Sequence, residues 1–280
     1  MLFRSSVAPQ VVGFANHYYI LINENIAGVL KKCFSKKQYL AIRIKKILHT
    51  FYMNRDADVI VAETPYATEG FLKVFKKVKK GCTVSNTCSA FFDDMPKKRP
   101  HEHFVLLTVC KYYRHKNLEV INPVSEELLR RNVSDVRFVM TLDDDNFSRL
   151  FKDNPLVINA GYTEPKDCPA LYANADAMFL PTLAECFSAS YLEAMKSGIP
   201  ILTSDFDFAR SICKNAAVYF NPFCPEEICD RIIELKDDAA LRERLIHKGE
   251  IRVKDFPSSK ERCESYLNIC KEALSCSPQA

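Results

Sequence analysis

From residue 103 onward, short β-branched and aromatic runs alternate with longer segments of helical periodicity, and this order constrains the fold more than any other feature of the chain. Strands are predicted at His103–Cys110, Val136–Thr141, Leu156–Asn159, Ala177–Leu180, Ile199–Thr203 and Ala217–Phe220. Helices are predicted at Leu118–Arg131, Cys168–Ala173, Ala189–Lys196, Asp207–Cys213 and Pro225–Leu235. A βαβα order can bury its apolar strands only in a parallel sheet covered by helices on both faces, the doubly wound α/β class. Ligands in that class bind beyond the carboxyl ends of the strands.

The first hundred residues are sparser. Strands are predicted at Val11–Phe14, Asp58–Ala62 and Cys82–Ser85, with helices over Ala41–Met53 and Tyr66–Val78. Three strands make a thin sheet. The stretch "FFDDMPKKRPHEH", polar and carrying two prolines, reads as a linker. Ser258–Ser275 reads as a terminal helix. The domain reading is therefore 1–100, a partial N-terminal Rossmann-like domain; 101–257, a complete one; and 258–280, a C-terminal helix and tail.

Charge divides along the same line. Residues 1–100 hold 17 Lys and Arg against 7 Asp and Glu, whereas residues 101–280 hold 22 against 28. The basic first part suits an anionic partner such as a membrane surface or a nucleic acid. No apolar run reaches spanning length, and "MLFRSSVAPQVVGF" lacks a signal peptide's apolar core, so a cytoplasmic location is expected. The 12 cysteines contain no C-x-x-C pair, which removes zinc-site spacing and leaves them as small apolar fillers in a reducing compartment. Cys263 and Cys270, seven apart, would share one helix face.

Glu185 and Glu193 stand eight positions apart inside "PTLAECFSASYLEAMKSGIPILTSD", an otherwise small and apolar run. A carboxylate there is costly unless a cation, backbone N–H groups or a ligand hydroxyl pairs with it. The strand ending at Pro181 is followed by a helix with Ser188 as N-cap and Gly198 as the residue beyond its end. Glu185 thus falls in the loop above a strand's carboxyl end and Glu193 in the second turn of the next helix. The free N–H groups where the helix begins, around Ser188 and Ala189, are a natural seat for phosphate.

This stretch resembles the E-x7-E signature of retaining glycosyltransferases of family 4, which have the two-domain GT-B fold. "LLTVCKYYRHKNLEVI" is similar to that family's strand and loop carrying a basic residue and a Lys-Asn five positions later, here Lys111 and Lys116. "INAGYTEPKDCPALYANADAMFLPT" resembles its glycine strand, short helix and following strand, and "TVSNTCSAFF" the strand that closes its N-terminal domain. The four pieces fall in the family's order over roughly residues 58–257. The resemblance implies an α/β protein of GT-B type with two Rossmann-like domains, the N-terminal one incomplete. It implies a donor site for a nucleotide diphosphate sugar: Lys111 and Lys116 on the diphosphate, Glu193 on the ribose, Glu185 on the donor sugar, Gly161 and Tyr162 near the base, Ser188 and Ala189 at the phosphate-binding helix start. A glycan or lipid-linked acceptor, retention of configuration, bacterial surface-polysaccharide assembly, and no cofactor or metal are implied with it.

The chain departs from the pattern in three ways. Lysine replaces arginine at Lys111, keeping the charge but losing the bidentate fork. Cys186 and Ser188 replace glycines, which makes the loop less permissive. The glycine-rich first turn and acceptor-side histidine that members carry ahead of "VVGFANHYYI" are not found; His17 is near a plausible place, in uncertain register.

Blander readings stand beside these. Asp143, Asp144 and Asp145 suggest a D-x-D metal site but read better as a solvated acidic turn. "KVFKKVKKG", Lys73–Gly81, is either a solvated helix face or a peripheral contact with anionic membrane. A nucleic-acid partner is the weaker reading and is not expected, since the run lacks interleaved aromatics and no known binding motif accompanies it. The alternative to an enzyme is a non-catalytic nucleotide-sugar-binding module or a truncated remnant.

Overall fold

The computed structural model describes residues 8–21, 34–97 and 101–275. The chain divides into two compact units. The first comprises residues 1–87, 184–187 and 256–280; the second, residues 88–183 and 188–255. Both depart from a simple serial division, because a four-residue loop and the terminal helix belong with the first unit.

The first unit is built on a parallel sheet of β1 (Val11–Gly13), β2 (Val59–Ala62) and β3 (Lys80–Thr83), in that spatial order. β2 reads VIVA and is buried throughout, as a central parallel strand must be. Its alternate side chains feed two cores. Ile60 and Ala62 pack with Tyr19, Phe71 and Phe75, while Val59 and Val61 pack with Val84 and the terminal helix residues Tyr266 and Ile269. The helices are α1 (His17–Leu21), α2 (Lys36–Asp56) and α3 (Pro65–Val74). α2 starts on a capping box, with Ser35 and Gln38 bonding each other's backbone N–H groups. α3 starts on Thr64, whose hydroxyl accepts from Ala67 N at 3.1 Å and donates to Cys186 O at 3.2 Å.

The second unit holds a fully parallel six-stranded sheet of β4 (Phe104–Thr108), β5 (Val136–Met140), β6 (Val157–Asn159), β7 (Ala177–Leu180), β8 (Ile201–Ser204) and β9 (Ala217–Phe220). The spatial order is β6-β5-β4-β7-β8-β9. β4 is central, with Leu106 opposite both Phe138 of β5 and Ala177 of β7. The strand order reverses between β4 and β7, so the loops beyond these two strands diverge and leave a crevice at their carboxyl ends. The helices are α4 (Ile121–Arg130), α5 (Asp144–Phe151), α6 (Cys168–Ala173), α7 (Ala189–Lys196), α8 (Asp207–Cys213), α9 (Pro225–Asp237) and α10 (Ala239–Arg252); the first unit's terminal helix is α11 (Ser259–Ser275).

Four sequence expectations change. The supposed linker is packed structure over its described part: Phe92 is buried against Tyr172, with ring centroids 5.2 Å apart, and Lys196 pairs with Asp93. A polar composition concealed one anchoring aromatic. The basic run Lys73–Gly81 is not a helix face, because α3 ends at Val74 and the following lysines form the turn into β3. Phe75 and Val78, both buried, pull that turn onto the core. Cys263 and Cys270 are exposed rather than core fillers, whereas Cys168, Cys186, Cys213 and Cys229 are buried. Helices α1, α5 and α10 go unpredicted by the sequence pattern.

Candidate functional site

A cleft of about 630 Å³ opens at the switch point of the second unit, and every residue lining it belongs to that unit. Each wall comes from the chain just beyond a strand: Val109, Cys110 and Lys111 follow β4, Thr141 and Asp143 follow β5, and Tyr162, Thr163 and Pro165 follow β6. Cys168 from α6, Glu193 from α7, and Ser89 and Phe92 close it.

The floor is stitched by short-range bonds. Cys110 N donates to Thr141 Oγ1 at 3.1 Å, tying the β4 loop to the β5 loop at the residue before Lys111. Beyond Lys111 the chain makes a tight turn at Arg114–Lys116. There His115 O accepts from Leu183 N at 2.7 Å and from Thr182 Oγ1 at 3.2 Å, so the loops after β4 and β7 are joined. Asn117 leaves this turn in the left-handed region, φ 54°, and donates from Nδ2 to Pro222 O at 3.1 Å. Asparagine tolerates that backbone better than most residues, which gives the Lys116-Asn117 pair a local structural reason.

Glu193 is held from behind. Tyr172, fully buried on α6, donates its hydroxyl to Glu193 Oε2 at 2.8 Å. Burial pushes the Glu193 carboxyl above the usual carboxylate range, and the Tyr172 hydrogen bond draws it partly back. Its charge is felt nearby: Cys88 is pushed up to about 11, by burial first and Glu193 second. Asp143 is held below its ordinary range chiefly by Asn146, with a smaller contribution from Lys111 across the cleft. It is the N-cap of α5, accepting from Asn146 N at 2.9 Å, so the acidic turn has a helix to start. Among the described residues no group of three or more His, Cys, Asp or Glu could hold a metal ion.

The predicted residues divide. Lys111, Glu193 and Tyr162 line one cleft, with Gly161 adjoining Tyr162 in the left-handed region, φ 72°. Lys116 is half-buried in the tight turn and is not a lining residue. Ser188 is the N-cap of α7 but makes no side-chain capping bond, and Ala189 opens the helix. Ser188 has φ −119° and Cys186 is not among the positive-φ residues, so the loop has no need there of the glycines the family pattern shows. Glu185 is buried and belongs to the segment grouped with the first unit. There it raises the Glu63 carboxyl, which burial raises first and Arg262, 3.6 Å away, lowers. His17 opens α1 in that unit. Sequence reasoning missed Tyr172, Phe92, Cys110, Thr141 and Thr163. None bears a distinctive spacing, and only the "ALYANAD" segment held a clue, an aromatic one helix away from a lone glutamate.

The family described as "Glycosyl transferases group 1" matches residues 91–252. The chain is 30% identical over 103 residues to O-antigen chain mannosyltransferase B of Escherichia coli, covering 37% of this chain and 26% of that protein. Sucrose-phosphate synthase from Thermosynechococcus elongatus superposes with a TM-score of 0.74 at 12% identity, over 95% of this chain and 68% of that one. TarM of S. aureus, solved in complex with fondaparinux, α-GlcNAc-glycerol and UDP, superposes with a TM-score of 0.70 at 16% identity, over 94% of this chain and 51% of that one. At such identities the likeness speaks for the fold, and the chain spans about half or less of the length of the mannosyltransferase and of TarM. With a family match over more than half its residues and parallel sheets of the same architecture, the chain belongs to the group 1 glycosyl transferases and has the GT-B fold.

Proposed function

We propose that the chain moves a hexose from a nucleotide diphosphate sugar to a glycan or lipid-linked acceptor with retention of configuration, in the assembly of a bacterial surface polysaccharide. The observation that supports this best is the convergence of Lys111, Tyr162 and Glu193 on one cleft at the carboxyl ends of the central strands. An ammonium group suits a diphosphate, a carboxylate suits ribose hydroxyls, and an exposed aromatic suits a base. The mannosyltransferase named for O-antigen chains supports the polysaccharide context.

In this reading the bond between the anomeric carbon and the diphosphate oxygen breaks as the carbon takes oxocarbenium character. Negative charge then grows on the diphosphate, and Lys111, Lys116 and the α7 N-terminus at Ser188 and Ala189 stabilise it. The acceptor hydroxyl attacks from the face the diphosphate leaves, and its proton passes to the diphosphate. Glu185 contacts the donor sugar. The basic first part of the chain suits peripheral contact with anionic lipid, which would bring a lipid-linked acceptor close.

Incubating the purified chain with a panel of nucleotide diphosphate sugars tests the reading. Release of nucleoside diphosphate, by transfer or by hydrolysis, is the expected result. Nucleotide binding without turnover would select the non-catalytic binding module instead, and no binding would overturn both.

A further inference from the structure

Glu193 faces the cleft with one oxygen already engaged. Tyr172 Oη donates to its Oε2 at 2.8 Å. A tyrosine hydroxyl has one proton, and here the carboxylate receives it. Tyr172 is fully buried, its ring edge-on to Phe92 at 5.2 Å, so the ring is held by packing and its hydroxyl is shielded from solvent. With Oε2 occupied, Oε1 is the oxygen left to accept from a ligand.

We propose that Tyr172 is a positioning residue for nucleotide recognition: by holding Oε2 it fixes the Glu193 carboxylate so that Oε1 accepts from a ribose hydroxyl, and so sets the preference for ribonucleotides over deoxyribonucleotides. The proposal rests on the reading of Glu193 as the ribose contact. Two effects of the bond act together. It orients the carboxylate, which matters because a hydrogen bond to a charged group is among the stronger directional contacts. It also favours the ionised form against the burial that raises the carboxyl. Lys111, Asp143 and Tyr162 share the cleft with Glu193, and the Cys168 and Cys88 thiols lie near its charge, with Lys196 and Asp93 beside Cys88. Burial pushes both thiols up, so both stay neutral over the working pH range.

The test is calorimetric titration of the parent chain and Tyr172→Phe with uridine and guanosine diphosphates and their 2′-deoxy forms, at pH 6 and pH 8. The phenylalanine keeps the ring against Phe92 and removes only the hydroxyl. For Tyr172→Phe the ribose preference is expected to fall about tenfold, the affinity for the deoxy forms staying near that of the parent. Ribonucleotide binding should also weaken more between pH 8 and pH 6 than in the parent, because loss of the hydrogen bond lifts the Glu193 carboxyl further and protonates it earlier. Glu193→Gln removes the charge, so adding Tyr172→Phe to it should leave the pH profile the same as that of Glu193→Gln alone. A parent chain with no preference for ribose would overturn the reading of Glu193 and this proposal with it. A parent that prefers ribose, beside a folded Tyr172→Phe with the same preference and pH profile, would overturn this proposal alone.

Discussion

Glu193 sits where burial opposes ionisation, and among the described residues Tyr172 offsets that cost. A carboxyl whose folded pKa lies above its unfolded value favours the fold when protonated. Stability is therefore lost as pH rises from the unfolded pKa through the folded one. Replacing Glu193 by Gln should accordingly raise the melting temperature at pH 7, with the gain shrinking as pH falls toward 4. The same change should weaken nucleoside diphosphate binding, the usual exchange of stability against function at a binding carboxylate. Scanning calorimetry across pH, beside titration with uridine and guanosine diphosphates, measures both; a lower melting temperature at pH 7 would contradict it. Lys116 gives a second test at this scale. Held in the turn that joins the β4 and β7 loops, it is expected to meet the diphosphate, so Lys116→Ala should weaken that binding by about 1.5–3 kcal/mol. Unchanged affinity would remove Lys116 from the site.

Among the secondary-structure elements, the starts of α3 and α5 are the most informative. Asp143 caps α5, and Asp144 and Asp145 occupy its first turn, where negative charge meets the positive end of the helix. These three carboxylates have a structural task, so nucleotide binding and turnover should survive a chelator. Complete loss with chelator, restored by manganese, would return them to the role of metal ligands. Thr64 is buried and does two things at once, capping α3 and bonding the backbone of Cys186. Thr64→Val should cost roughly 1–3 kcal/mol, a cap and a buried hydrogen bond together, seen as a lower urea midpoint at unchanged slope. Helix α2 illustrates a limit of periodicity. Ile42 and Met53 lie on its seated side, while Leu40, Ile44, Ile47, Leu48 and Phe51 are all exposed. Apolar residues on both faces leave no single amphipathic stripe to read.

For the molecule as a whole, charge is the long-range property. The excess of Lys and Arg lies in residues 1–100, and no helix among the described residues is long and apolar enough to cross a membrane. Within the basic run, Lys79 lies 3.5 Å from Asp58 and Lys80 lies 2.7 Å from Glu272. Lys76 and Lys77, both exposed, are the better candidates for an outside partner. If the acceptor is lipid-linked, the chain should sediment with anionic liposomes at low ionic strength and not with neutral ones. Each basic residue at the surface would contribute about 1 kcal/mol, fading within a Debye length as salt rises. A K76E/K77E variant should sediment less while binding nucleotide normally, because the cleft belongs to the other unit. Equal sedimentation of parent and variant would leave these lysines as a solvated turn.

The sequence by itself determined the second unit. Six apolar runs separated by helical segments admit little but a parallel, doubly wound sheet, and the six observed strands lie within or close to the predicted runs. The positions of Lys111, Tyr162 and Glu193 near strand ends followed from the same order, because in such a sheet every strand's carboxyl end points to one edge. Tertiary structure decided the rest. It decided that Tyr172 meets Glu193 across two helices, that Phe92 turns a polar stretch into a wall, and that residues 184–187 and α11 belong with the first unit. Local propensity and periodicity carry which face of a segment is apolar. They do not carry which distant segment will cover that face, and each of these outcomes depends on such a pairing.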